Sequence, residues 1–153
     1  MQKKNTQIAK ISKRGFTLIE FLISIAIIFS IGALGLFIGM DFYKSYTLNS
    51  ERSIAISILQ KTRNLSMANI NEAKHGIYLD ADKYTIFQGE NYSSRNQTYD
   101  EIIYINPTIT KGGLQEVVFE QLTGKPSAIG NIILSNATRS ITISIENEGR
   151  INW

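Results

Sequence analysis

One carboxylate in this 153-residue chain stands where water is scarce. Glu20 is the only charged side chain between Phe16 and Ile38, a 23-residue run reading FTLIEFLISIAIIFSIGALGLFI. A carboxylate inside such a segment costs about 2.5 to 3.5 kcal/mol at mid-membrane on insertion scales, so it marks function and calls for a cationic partner. Other groups that could do chemistry are sparse. Asp80 and Asp82 could supply oxygens to calcium, but a calcium cage takes about six to eight ligands and a pair supplies few of them. Asp100 and Glu101 could be an acid/base pair, yet neighbours in a strand point to opposite faces and cannot converge on one substrate. His75 is the only histidine and there is no cysteine, which removes thiol nucleophiles and the usual zinc ligand sets. With no Gly-rich phosphate loop, no Ser/His/Asp set and no metal-ligand cluster, the chain reads as a non-enzyme without a cofactor.

The element that carries Glu20 is a membrane helix. Twenty-three residues at about 1.5 Å each span roughly 34 Å, enough for a hydrocarbon core of about 30 Å. Lys3, Lys4, Lys10, Lys13 and Arg14 precede the run and no cation directly follows it. That asymmetry places the N-terminus in the cytoplasm and the rest across the cytoplasmic (inner) membrane, a single pass held by residues 16–38. The five cations also account for the chain's formal charge of +3, since residues 16–153 hold eleven basic and thirteen acidic side chains. A secretory signal peptide would have a shorter apolar core and a small-residue cleavage site after it. An ordinary single-span anchor is the competing reading, and the buried acid decides against it.

Lys13-Arg14-Gly15-Phe16-Thr17-Leu18-Ile19-Glu20, followed by the apolar run, resembles the class III leader of type IV prepilins and type II secretion pseudopilins. In that family a membrane aspartyl peptidase cuts after the glycine, on the cytoplasmic side, and N-methylates the new end. The resemblance implies cleavage between Gly15 and Phe16, methylation of Phe16, and a charge pair between Glu20 and the Phe16 amine of a neighbouring subunit. It implies as partners a prepilin peptidase, other pilin or pseudopilin subunits, an assembly platform and a separate ATPase. The motif covers about the first 30 residues.

Beyond Asp41 the pattern turns amphipathic, with Ile54, Ile58 and Leu65 on one face, and without a proline before Asn106 a single helix is predicted from Phe16 to about Ala73. Alternating runs then predict strands at 77–79, 83–88, 101–105, 115–119, 132–134, 140–145 and 150–153, with a polar, mobile loop at 90–100. The expected fold is α+β: a long N-terminal helix, half membrane and half amphipathic, packed on a small antiparallel sheet. The organisation expected is a leader at 1–15, a transmembrane or filament-core helix at 16–40 and an extracytoplasmic head at 41–153. Within the pilin-like group, Gly76-Ile-Tyr-Leu, Val118-Phe-Glu-Gln-Leu-Thr-Gly124 and Arg139-Ser-Ile-Thr-Ile are most similar to minor pseudopilins of the GspH/FimT type. Such subunits sit near a filament tip and help to start assembly.

The rival function is a pilus-tip module that captures DNA or a surface. Some FimT-like proteins bind DNA through basic C-terminal residues, which here would be Lys125, Arg139 and Arg150. Set among Glu116, Glu120, Glu146 and Glu148, they make a poor phosphate track, which argues against DNA as a partner.

Overall fold

The computed structural model describes residues 15–153. The expected leader at 1–15, with Lys3, Lys4, Lys10, Lys13 and Arg14, therefore lies outside the described residues except for Gly15. The chain divides after Met40 into two units.

Helix α1 is 50 residues long, Leu18–Met67. It contains a stretch long and apolar enough to cross a membrane. Hydroxyls within that stretch need no water. Ser24 donates to the carbonyl of Glu20 at 2.7 Å and Ser30 to that of Ala26 at 2.8 Å, each one turn back, which satisfies them locally as an apolar solvent demands. The helix ends earlier than predicted. Asn69 has φ 50°, Asn71 φ 56° and Glu72 φ 52°, so the chain enters left-handed backbone and a short 3-10 turn, Ile70–Glu72, instead of running on to Ala73. Asparagine tolerates that conformation better than most residues, so it stops a helix where no glycine or proline announces a stop.

The second unit adds two four-stranded sheets. The strands are β1 His75–Leu79, β2 Lys83–Gln88, β3 Glu101–Tyr104, β4 Thr110–Gly113, β5 Glu116–Phe119, β6 Gly130–Ser135, β7 Ser140–Ile145 and β8 Ile151–Asn152. The first sheet has the order β3-β2-β1-β5 and the second β4-β6-β7-β8, with antiparallel pairing throughout. The chain thus leaves the first sheet after β3, supplies β4 to the second, returns for β5 and leaves again for β6. The α+β arrangement of a long helix on antiparallel strands is as expected, although two sheets stand where one was predicted.

Leu48, Ala55, Ile58 and Leu59 of α1 pack against Ile77, Tyr84, Val117 and Phe119 of the first sheet and Ile132, Leu134, Ile143 and Ile145 of the second in one buried cluster. The buried stripe of the helix also holds Glu51, Thr62 and Ser66, whereas Ile54 is exposed. Of the predicted inner face, Ile58 is buried and Leu65 packs against the core, while Ile54 faces out, because the centre of the stripe that meets the sheets runs through Leu48, Ala55, Leu59 and Thr62 at spacings of seven, four and three. Thr62 is accommodated by donating to the Ile58 carbonyl at 2.8 Å, and Ser66 accepts from the His75 backbone at 2.9 Å, joining helix to β1. Gly76 is required where it stands, since a Cβ there would lie 2.3 Å from the Phe87 ring.

The loop at 90–100, expected to be mobile, is held at Tyr92, Arg95 and Asp100. The Tyr92 ring stacks on Tyr78 at 3.9 Å and 8°, and the Arg95 guanidinium lies 3.7 Å over its other face. Arg95 also pairs with Asp100 at 2.8 Å, both side chains being largely buried. Stacking, cation–π attraction and a shielded ion pair act together on one short segment.

Candidate processing and assembly site

Gly15, Phe16 and Thr17 precede the helix. Phe16 is 87% exposed, and no atom other than those of Gly15 and its two chain neighbours lies within 4 Å of where a Cβ on Gly15 would be. The Gly15–Phe16 peptide bond is therefore non-helical and open on the described side.

Directly after Phe16 the helix is capped by a reciprocal pair, Thr17 and Glu20, three residues apart. The Thr17 backbone N–H and its hydroxyl both donate to Glu20 Oε2 at 2.8 Å, and the Glu20 N–H donates back to the Thr17 hydroxyl at 3.3 Å. This is the S/T-x-x-E box that satisfies first-turn donors which no helical carbonyl can reach. The positive end of the helix dipole favours an acid at the same place. Oε2 carries both Thr17 bonds, while Oε1 takes no hydrogen bond among the described residues and the side chain is exposed. The geometry fixes the direction of the carboxylate and leaves one oxygen open to an incoming donor. Sequence reading takes Thr17 only as part of the motif and misses its capping role, although Thr17-Leu-Ile-Glu20 spells the box directly.

The other candidates do not come together. Asp80 closes the β1–β2 turn by accepting from the Ala81 N–H at 2.8 Å, and no group of three or more acidic, histidine or cysteine side chains forms a metal-sized cluster among the described residues. Asp100 and Glu101 are drawn apart, Asp100 to Arg95 and Glu101 to Lys61 at 2.6 Å. Buried His75 has its pKa lowered by desolvation, partly offset by the Ala73 backbone. Arg150 is engaged by Glu146 at 2.5 Å. Arg139 sits in the β6–β7 turn, whose Asn136 donates to the Lys44 carbonyl at 2.9 Å, whereas Lys125 follows Gly124, whose carbonyl accepts from Arg63 at 3.1 Å. Nineteen residues of helix, about 28 Å, separate Lys44 from Arg63, so the three cations of the DNA reading do not share one surface.

A cleft of about 820 Å³ in the second unit lies beside β4 and the β1–β2 turn and is lined by Leu79, Asp80, Ile109, Lys111 and Leu114. The Lys111 ammonium is fixed at its wall, donating to the Lys83 carbonyl at 3.1 Å and standing 4.6 Å from the centre of the Tyr84 ring. Desolvation brings its pKa down to about 8 against the opposing pull of Asp80, Glu51 and Asp82.

Comparison with protein families gives one match, the prokaryotic N-terminal methylation motif, over residues 10–37. No curated protein and no solved structure matches the chain. The matched segment contains Gly15, Phe16, Thr17 and Glu20, so the capped helix start described above lies inside a prepilin-type methylation signature, which supports a type IV pilin-like family.

Proposed function

We propose that this chain is a structural minor pilin or pseudopilin, cut between Gly15 and Phe16 by a prepilin peptidase, methylated at Phe16 and assembled with other pilin-like subunits at or near the tip of a type II secretion pseudopilus or type IV pilus. An assembly platform and a cytoplasmic ATPase drive that assembly. Before it, the subunit is a single-pass protein of the cytoplasmic membrane with its N-terminus inside and its head, residues 41–153, outside. The observation that carries this reading is the coincidence of the methylation motif with a carboxylate held by Thr17 and open on Oε1, at the start of a membrane-length helix.

The charge logic is direct. Cleavage would create an amine at Phe16, and an amine without a partner in hydrocarbon is strongly disfavoured. A neighbour's Glu20 supplies the missing anion, and the two charges attract far more strongly in a low dielectric than in water. Glu20 lies about 6 Å along the chain's helical rise from Phe16, and it belongs to the first unit and not to the buried cluster of the head.

The test is coexpression with a prepilin peptidase and the remaining filament subunits, followed by mass analysis and recovery of sheared filaments. Native chain should lose residues 1–15 and gain one methyl group. Glu20→Ala should be cut and membrane-bound but absent from the filaments. An intact leader on native chain, or equal recovery of Glu20→Ala in filaments, would overturn the assignment.

A further inference from the structure

We propose that Phe42, Tyr43 and Tyr46 form an aromatic collar that lies in the lipid headgroup layer and sets the depth of the helix in the bilayer. The three side chains are 75%, 66% and 67% exposed. In a helix advancing 100° per residue they share one face, and that face is turned away from Leu48, Ala55, Leu59 and Thr62, which the sheets cover. The head therefore gives these rings no cover of its own.

What covers them is indicated by the order of side chains along α1. The uncharged run from Phe21 to Met40 ends at Asp41, and the three aromatics follow within six residues of Met40. The same outward face then continues as Asn49, Ser50, Ser53, Ser57, Gln60 and Asn64, all exposed. Hydrocarbon-like, then aromatic, then hydroxyl and amide is the polarity sequence met on leaving a bilayer, and tyrosine rings concentrate at its headgroup level because one end is apolar and the other wet. The distances agree: Tyr46 stands about 9 Å of helix rise beyond Met40, less if the helix tilts, and the headgroup layer is about 5 to 8 Å thick on each side. A protein partner would have no reason to stop at Tyr46 on a face that continues for five more turns.

This inference rests on the membrane reading above, and the experiment separates the two. Tryptophan reporters are placed one at a time at Ile28, Tyr43, Tyr46 and Ser57 in full chain carrying Trp153→Phe. Each is reconstituted in phosphatidylethanolamine/phosphatidylglycerol vesicles whose acyl chains carry bromine either near the carbonyl or near the methyl end. Ile28→Trp should be quenched most by the deep bromine and Ser57→Trp by neither. Tyr43→Trp and Tyr46→Trp should be quenched at least about twofold more by the shallow bromine than by the deep one, as for a ring at the interface. Water-like emission with no quenching at 43 and 46, while Ile28→Trp is quenched, overturns the collar alone. Deep quenching at 43 and 46 also overturns it. So does blue-shifted emission that ignores bromine but grows with the ratio of protein to lipid, because the rings then pack on a second copy. If Ile28→Trp is unquenched as well, the collar and the membrane reading fall together.

Discussion

The two units of this chain use the same apolar residue types in opposite ways. In the second unit Leu59, Ile77, Phe119, Ile132 and Ile143 are shut off from solvent by two sheets and one helix face. In the first, Phe16, Ile19, Phe21, Leu22, Ile28, Phe29 and Leu34 are all exposed. Among the described residues nothing buries them. Apolar content therefore does not say what a segment packs against, whereas pattern does: the buried helix stripe recurs every three or four residues, and the N-terminal run is apolar on every face. A helix apolar all round needs its solvent supplied from outside, by lipid or by other helices.

The largest expected effect follows from removing one side of this contrast. A fragment beginning at Asp41 should be soluble, with mixed helix and sheet by circular dichroism and a Tm unchanged by EDTA, while full chain sediments with membranes. Aggregation of the fragment, or a large fall in Tm with chelator, would show that the head depends on the N-terminal unit or on a metal.

Next come paired substitutions that shorten a side chain in each unit. Leu59→Ala empties a fully buried site and should cost about 2 to 5 kcal/mol in urea denaturation of the head. Phe29→Ala, on an exposed face, should leave the same transition within about 0.5 kcal/mol. Equal effects would erase the distinction between the units.

Glycines sharpen it further. Gly76→Ala drives a methyl group into the Phe87 ring and should cost about 1 to 3 kcal/mol by overpacking. Gly35→Ala meets nothing within 4 Å and should leave the head's unfolding transition unchanged.

The shallowest effect is on pH dependence, and it belongs to the head. Lys111 titrates near 8 in the folded chain against an ordinary 10.5, so from about pH 8 to 10.5 the unfolded state holds more protons and stability should rise with pH. Lys111→Met should flatten that slope. His75 is lowered by burial, so stability should fall as the pH drops below its ordinary value of 6.5 and the unfolded chain takes up a proton first. His75→Gln should remove that loss.

Much of this contrast was legible from residue order. Strict alternation from Ser140 to Ile145 and the run Lys83 to Gln88 give β7 and β2 with the bounds observed. What escaped depends on contacts distant in sequence. Thr110-Lys-Gly-Gly113 has almost no strand propensity and becomes β4 because β6 pairs with it, Gly112 opposite Ile133 and Gly113 opposite Ile132. The 90–100 loop looked mobile because its polar residues show no pattern, yet Tyr92 finds Tyr78 fourteen residues away. At the helix start, Gly15, Phe16 and Glu20 stood out by type and spacing. Thr17 stands in the same motif at the spacing of a capping box from Glu20, but which carboxylate oxygen its hydroxyl meets is seen only in the fold.

The exchange of strands between the sheets has a consequence for how the head comes apart. Since β4 and β5 are neighbours in sequence but belong to different sheets, the first sheet cannot peel off without pulling on the β3–β4 and β4–β5 connections that hold the second. Local hairpins such as β1–β2 and β6–β7 can form early, but each sheet is complete only once the chain has crossed over. Unfolding should therefore be a single event, with calorimetric and van't Hoff enthalpies of the head in agreement. Proteases should find the head either whole or fully open, and a subunit of this design meets mechanical or thermal stress with a threshold instead of a gradual loosening.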